Sequence, residues 1–353
     1  MTVFELECKN FRNIGNIKIN PCENINIICG ENAQGKTNLI EAIWLFTGAK
    51  SFRGSKDSEF LKFGEEKAVC NIKFKSNEIL NTASIKIENK RTAVLNENKL
   101  NSVSELAGQF NAVVFSPIDL NIVSEGPKLR RKFIDSAICQ IYPSYISILK
   151  QYIRALTQRN QIIKDFKYDN TVSVMLDVFE EEISALGKKI IEMRKRYLKI
   201  LSEFLPLLYD GISKGKEKLK INYLPSCGEN LKEELLNSRK EDMYSGVTSV
   251  GPHRDDIDFK INDISVRKYG SQGQKRSVAL ALKLSEAEVI NKKTGEYPII
   301  LLDDVMSELD KMRQNFILNK ITGMQSFLTC CDESNIDGLQ NGNVIRIKNG
   351  GVF

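Results

Sequence analysis

The stretch Gly30-Glu31-Asn32-Ala33-Gln34-Gly35-Lys36-Thr37 limits what this 353-residue chain can become more than any other. It reads G-x-x-x-x-G-K-T. Upstream, Ile25, Ile27 and Ile28 predict a short apolar strand ending at Cys29; downstream, Leu39, Ile40, Ile43, Trp44 and Phe46 recur at helical spacing, and Gly48 is a natural stop. A glycine-containing turn between a strand and a helix is the setting of a phosphate-binding loop. There the backbone N–H groups curl inward and the helix N-terminus adds partial positive charge. Lys36 is then expected to reach the β- and γ-phosphates, and the Thr37 hydroxyl to ligate Mg²⁺.

Composition narrows the class. With 42% hydrophobic and 27% charged residues the chain is an ordinary globular one, long enough for about two structural units. A net charge of +6 favours polyanionic partners only weakly. No apolar run approaches the roughly 18 residues of a membrane span. The first residues carry Glu5, Glu7, Lys9 and Arg12, unlike a signal peptide. Eight cysteines are scattered without a C-x-x-C, and Cys330-Cys331 sits in an apolar run, which together predict buried thiols in a reducing cytoplasm. His253 is the only histidine, so a His-rich metal site is excluded, and a Ser-His-Asp triad away from it too.

In chain order, residues 3–20 alternate as two strands around Asn10-Phe11-Arg12-Asn13. Arg12 and Asn13, just ahead of the P-loop strand, are candidate nucleotide contacts, with a surface charge the plain alternative for Arg12. Lys50 to Lys56 form a basic loop. Residues 69–75, 83–88 and 92–95 read as antiparallel strands, and Val113-Val114-Phe115 as a buried strand. The character changes near 117. Gly126-Pro127 opens a basic helix with Arg130 and Arg131. Leu176, Phe179, Ile183, Leu186, Ile190, Met193, Tyr197, Ile200 and Phe204 then step by three and four, an a/d seam of roughly 40 Å. A short antiparallel coiled-coil arm and an ordinary helical subdomain with a long central helix both satisfy this spacing. Residues 211–245 read as surface loops and a short helix. A hairpin around Asn262-Asp263, a helix over 273–292, and strands at 299–302, 326–331 and 344–347 follow.

Ile299-Ile300-Leu301-Leu302-Asp303-Asp304 has the Walker B form, an apolar strand delivering the Mg²⁺-holding carboxylate of Asp303 at its end. The long separation from Lys36 is explained by an inserted helical lobe. This divides the chain into an N-terminal half of an ATPase head over 1–116, a helical lobe over 117–245, and the C-terminal half over 246–353. Tyr269-Gly270-Ser271-Gln272-Gly273-Gln274 opens the helix before the Walker B strand, and Val305-Met306-Ser307-Glu308-Leu309-Asp310 follows it. An ordinary N-capped helix is the plain reading of Ser-x-Gly-Gln.

These stretches resemble the signature loop and D-loop of the ABC ATPase superfamily, and specifically its SMC/Rad50-like head branch. Within that branch the chain is similar to the RecF family of recombination and repair proteins. The similarity is carried by Asn10-Phe11-Arg12-Asn13, the P-loop, Ser51-Phe52-Arg53, Phe115-Ser116-Pro117 with Asp119-Leu120, Gly126-Pro127 with Arg130-Arg131-Lys132-Phe133, Gly251-Pro252-His253-Arg254-Asp255-Asp256, Ser271-Gln272-Gly273-Gln274, and Leu302 to Asp310. It implies an α/β fold, an ABC-type P-loop ATPase head with an inserted helical, short coiled-coil-like lobe. It implies ATP and Mg²⁺ as cofactors, ATP-dependent homodimerisation, and weak DNA-stimulated ATP hydrolysis. Ser271, Gly273 and Gln274 would meet the γ-phosphate held by a second subunit. Double-stranded and gapped DNA, RecR, and RecO and RecA in the same pathway are the implied partners, in DNA replication, DNA damage repair and the SOS response, without a membrane. Asp304 stands where many relatives have a water-positioning Glu, and no switch His follows Leu328-Thr329-Cys330-Cys331-Asp332. Both point to slow hydrolysis, with Lys36, Asp303 and Asp304 as the catalytic set. Lys50, Arg53, Arg130 and Arg131 are candidate DNA-phosphate contacts. His253 either serves the site or braces the junction between lobes. An ABC transporter subunit, and a scaffold that nucleotide merely locks, are the competing functions.

Overall fold

The computed structural model describes residues 1–165, 173–331 and 342–353. They fall into two compact units: Met1–Asn121 with Leu207–Gly215 and Arg276–Phe353, and Ile122–Pro206 with Lys216–Lys275.

In the first unit, Thr2–Phe11 (β1) and Ile14–Ile19 (β2) pair around a turn holding Arg12 and Asn13, and Ile25–Cys29 (β3) runs into the P-loop and helix Lys36–Leu45 (α1). Ala68–Ser76 (β4), Ile79–Ile87 (β5), Arg91–Leu95 (β6) and Asn98–Lys99 (β7) extend an antiparallel sheet in the order β2-β1-β4-β5-β6-β7. Its alternation buries one face: Val3, Leu6, Cys8 and Phe11 on β1 lie against Cys70, Ile72 and Phe74 on β4. Ala112–Phe115 (β8) closes this part of the chain.

The second unit contains helices Pro127–Ile141 (α2), Pro143–Asp165 (α3) and Leu231–Ser245 (α5), most of Ser173–Ser213 (α4), strands Leu219–Leu224 (β9), Asp256–Ile261 (β10) and Ile264–Ser265 (β11), and the short helix Val266–Tyr269 (α6). Residues 211–245 therefore hold a strand and a 15-residue helix where loops and a short helix were expected. Strand β9 forms because Leu219, Ile221 and Tyr223 alternate with polar residues and pair with Ile261, Phe259 and Ile257 on β10. Helix α4 is 41 residues long, about 60 Å at 1.5 Å per residue. Its buried stripe runs through Leu176, Glu180, Ile183, Gly187, Ile190, Arg194, Tyr197 and Leu201. Phe179, Met193 and Ile200 of the expected seam are only half-buried. Two charged residues inside the stripe, each paired with other helices of the unit, make α4 the central helix of a helical subdomain rather than one strand of a two-stranded arm.

Helix Gln272–Thr294 (α7) leads back to the first unit, where Ile299–Leu302 (β12), Lys311–Lys320 (α8), Ser326–Cys330 (β13), Asn343–Lys348 (β14) and Gly351–Val352 (β15) complete a second sheet, β15-β14-β3-β13-β12-β8. Strands β14, β3, β13, β12 and β8 are parallel neighbours, and β8, β12 and β13 are buried along their whole length, as strands covered on both faces must be. One apolar core joins Leu6, Phe74 and Ile85 of the first sheet, Leu39, Ile43 and Trp44 of α1, and Ile28, Val114, Leu301 and Phe327 of the second. Each such side chain contributes about 1.5–3 kcal/mol by burial.

Candidate nucleotide site

Strand β3 and helix α1 hold the P-loop as a wrapped turn. Gly35 takes φ 115°, and a Cβ there would stand 2.8 Å from Asn13 Oδ1. A Cβ on Gly30 would lie 2.4 Å from the Ile347 carbonyl oxygen. Both glycines are therefore required by close packing as much as by any ligand. Helix α1 starts at Gly35, which makes no side-chain cap, and uncapped first-turn N–H groups are a ready place for an anion. Three elements brace the loop. Asn13 Nδ2 donates to the Ala33 carbonyl (3.1 Å), Asn38 Nδ2 donates to Asn13 Oδ1 (2.8 Å), and the Asn349 and Gly350 N–H groups donate to the Gln34 side chain and carbonyl. Glu31, Asn32 and Ala33 are exposed at its crest, Ala33 with φ 63°.

Lys36 is buried, its Nζ donating to the carbonyls of Gly30 (2.5 Å) and Glu31 (3.1 Å) and lying 3.4 Å from Cys331 Sγ. Among the described residues no carboxylate pairs with it. A buried ammonium compensated only by carbonyl dipoles is costly, and an anion at the same place relieves that cost.

Strand β12 brings Asp303 to Thr37: the Thr37 hydroxyl donates to Asp303 Oδ1 at 2.7 Å, across 266 positions of sequence. Strand β13 lies between β3 and β12, and its Thr329 adds a hydrogen bond to Asp303 Oδ1 (3.4 Å) while accepting from the Asp304 N–H (2.7 Å). Burial raises the Asp303 pKa, and neighbouring Asp304 raises it further, against the lowering by Thr37. Asp304 is exposed, held at φ 52° with Ser307 Oγ donating to its carbonyl (2.8 Å). A hydroxyl and a carboxylate sharing one hydrogen bond form a hard-oxygen donor pair of the type Mg²⁺ takes alongside phosphate oxygens and water. No cluster of three or more His, Cys, Asp or Glu suited to a metal occurs among the described residues.

Beside the P-loop lies a cavity of about 540 Å³ lined by Arg12, Asn13, Asn38, Arg53, Glu59, Leu61, Lys62 and Phe63. Phe63 is fully exposed. Arg12 faces this cavity with its guanidinium already engaged: Nε with Glu41 (2.6 Å), one amino group with Ser55 Oγ (2.7 Å), the other with the Glu59 carbonyl (3.2 Å), all above the Phe60 ring. Glu41 is fully buried and also accepts from Ser51 Oγ (2.5 Å). No motif points to Glu41, Thr329 or Phe63. Their only signal is position on elements that the motifs already fix.

Ser271 and Gln274 form a reciprocal cap on α7 within the second unit. The Ser271 N–H donates to Gln274 Oε1 (2.8 Å), and the Gln274 N–H donates to Ser271 Oγ (3.2 Å). The plain reading of Ser-x-Gly-Gln thus holds, and Ser271 is exposed on top of it. In the first unit, Asp310 caps α8 through the Arg313 N–H (3.0 Å), and Arg276 donates to the Glu308 carbonyl (2.6 Å).

Of the four basic residues expected on DNA, Lys50 and Arg53 are exposed. Arg130 is a correction: it is 1% exposed. Its guanidinium makes a two-pronged pair with Asp256 (2.6 and 3.1 Å) and donates to the carbonyls of Ile122 and Glu125. A buried, fully bonded guanidinium cannot meet a phosphate. Arg131 is half-buried and donates to the Asp255 carbonyl (2.6 Å). His253 is likewise internal to the second unit, bonded to the Tyr152 hydroxyl (2.7 Å) and the Thr248 carbonyl (3.1 Å). Burial lowers its pKa to about 4, so the ring is neutral near pH 7, accepting from Tyr152 and donating to Thr248. Asp332, which ends the stretch Leu328 to Asp332 that lacks a switch His, lies outside the described residues.

The family model described as RecF/RecN/SMC N terminal domain matches residues 2–349. The DNA replication and repair protein RecF of Clostridium acetobutylicum is 41% identical, over 100% of this chain and 99% of its own length. That of Caldanaerobacter subterraneus subsp. tengcongensis is 41% identical, over 96% of each. A solved structure of the recombination mediator protein RecF with ATPrS, in the RecFOR pathway, superposes with a TM-score of 0.93 at 40% identity, covering 99% of this chain and 97% of that one. An Smc head domain from Pyrococcus furiosus shares the fold at a TM-score of 0.55 and 17% identity. The fold is thus an ABC-type ATPase head with an inserted helical lobe, and the chain belongs to the RecF family of DNA replication and repair proteins.

Proposed function

We propose that this chain is an ATP-switched DNA-binding protein of recombination and repair. The observation that carries the reading is the Thr37–Asp303 hydrogen bond, which joins two motifs far apart in sequence into one pair of hard-oxygen ligands beside a buried Lys36 that has no carboxylate partner among the described residues. Residues Gly30 to Thr37 would cradle the triphosphate, and Lys36 would exchange its carbonyl partners for phosphate oxygens. Thr37 and Asp303 would hold Mg²⁺, which supplies charge neutralisation between the phosphates. Arg12 and Asn13 would shape the near wall of the cavity, with Phe63 offering a ring face to the base. Exposed Asp304 would align water for slow hydrolysis.

Functionally the signature loop goes with the head halves over 1–116 and 246–353, and the lobe over 117–245 is the insertion. Two heads would close on ATP, each presenting Ser271, Gly273 and Gln274 to the nucleotide of the other. Closure would bring together exposed cations, Lys50 and Arg53 among them, as a sequence-independent surface for double-stranded or gapped DNA. The solved relative is a recombination mediator of the RecFOR pathway, which supports RecR and RecO as partners and RecA loading as the outcome. The competing reading is a scaffold that nucleotide locks without turnover. It predicts that Asp304→Asn keeps every DNA and partner function.

Sedimentation with and without ATP-Mg²⁺ tests the switch. The expected result is a monomer that dimerises only with ATP-Mg²⁺ and fails to do so as Ser271→Arg. A wild-type protein that binds ATP yet stays monomeric would rule out the shared-nucleotide arrangement.

A further inference from the structure

The signature cap is held from outside by a side chain that no motif predicts, Glu217. Gln274 uses both ends of its amide: Oε1 accepts from the Ser271 N–H, while Nε2 donates to Glu217 Oε1 at 2.7 Å. A carboxylate only accepts, so Glu217 can engage only the NH₂ end of that amide. This choice forces the oxygen end toward Ser271. With the amide turned the other way, two donors would face each other at the Ser271 N–H and the reciprocal cap would be lost.

Glu217 is itself held in place. It lies in the connection from α4 to β9, one residue before Lys218. The Lys218 N–H donates to Asn262 Oδ1 (3.0 Å), and the Asn262 N–H donates back to the Lys218 carbonyl (3.0 Å). Asn262 sits in the β10–β11 turn at φ 49°, and β11 runs directly into α6 and the signature loop. The segment that carries Glu217 is therefore also tied to the turn from which the chain runs into the signature loop.

We propose that Glu217 is a positioning residue for ATP-dependent pairing of two chains. By fixing the flip of the Gln274 amide, it holds Ser271 with its Oγ accepting from the Gln274 N–H and its hydroxyl proton directed outward. That is the state in which Ser271 can donate to a phosphate oxygen. The inference rests on the signature-loop reading given under Proposed function.

The test is sedimentation of full-length protein with ATP-Mg²⁺, beside ATP affinity measured on the monomer at low concentration. Glu217→Ala is expected to weaken ATP-dependent dimerisation about 10- to 100-fold, because each dimer carries the bond twice, with monomer ATP affinity unchanged. Glu217→Lys sets a donor against the Gln274 NH₂ and is expected to weaken dimerisation as well. Glu217→Gln keeps an oxygen that accepts from Gln274 Nε2 and is expected to dimerise within about threefold of wild type. The two further variants keep the question answerable if Glu217→Ala folds poorly. A wild-type protein that dimerises with ATP, alongside Glu217→Ala and Glu217→Lys variants that do so equally well or a Glu217→Gln variant that does no better than they do, overturns the role of Glu217 alone. A wild-type protein that never dimerises with ATP overturns the signature-loop reading, and this inference with it.

Discussion

Lys36 and Arg159 are both buried cations, and they are held in opposite ways. Lys36 rests on two backbone carbonyls beside a thiol. Arg159, fully buried in the second unit, is bonded to Glu180 (2.8 Å), Asp242 (2.7 Å) and the Thr248 hydroxyl (2.8 Å), and Glu180 is shared with Arg239. Elsewhere in the same unit Arg194 pairs with Asp135 and Asp255, and Tyr223 donates to Asp255. One cation has neutral partners that a phosphate can replace; the other has its charge matched inside the fold. The difference separates a binding group from a structural one more reliably than residue type does, because both regions are rich in Arg, Lys and Asp.

Removing Arg159 tests the structural side most severely. Arg159→Ala leaves Glu180 and Asp242 buried without their shared cation and is expected to cost about 3–5 kcal/mol of stability. Denaturant unfolding reads this loss, and a cost below about 1 kcal/mol would mean that the network is not tightly coupled. His253 gives a pH version of the same test. Its pKa is lowered on folding, so its contribution is whole above the unfolded value near 6.5 and is lost as pH falls toward about 4. Stability should drop by about 3 kcal/mol across that window, and His253→Asn should flatten the drop. Lys36→Ala inverts the pattern. Stability should hold or rise, while ATP affinity falls by about 1.5–3 kcal/mol, the range for a charge-assisted bond. Calorimetry on the variant checks both quantities. The smallest effect distinguishes exposed from buried arginines on DNA. Arg53→Ala should lower the salt slope of DNA binding by about one unit, whereas Arg130→Ala should leave the slope unchanged and lose stability instead.

The same contrast explains what was legible in the sequence. Gly30 to Thr37 and Ile299 to Asp303 are contiguous motifs whose strand and helix flanks are encoded next to them, so the frame of the candidate site was readable directly. In sequence Arg130 looks like a solvated cation, because a basic run follows Gly126-Pro127 and its partner Asp256 lies 126 positions away. The stripe on α4 gave a heptad period but not its occupants. Glu180 and Arg194 occupy positions that only their partners on other elements explain. Strand β9 escaped because six residues within a Lys- and Glu-rich stretch show little beyond alternation at Leu219, Ile221 and Tyr223. Thr329 and Glu217 are common residue types whose importance comes from what they touch.

On this reading the Thr37–Asp303 pair and Lys36 hold exchangeable places for Mg²⁺ and triphosphate. Equilibrium titration of ATP into the wild type and Asp303→Asn, with Mg²⁺ and with a chelator, tests it most directly. Mg²⁺ is expected to strengthen binding to the wild type at least tenfold, about 1.4 kcal/mol, and this gain is expected to disappear in Asp303→Asn while metal-free binding persists. ATP binding to the wild type that ignores Mg²⁺, or an Asp303→Asn variant that keeps the full gain, would contradict it.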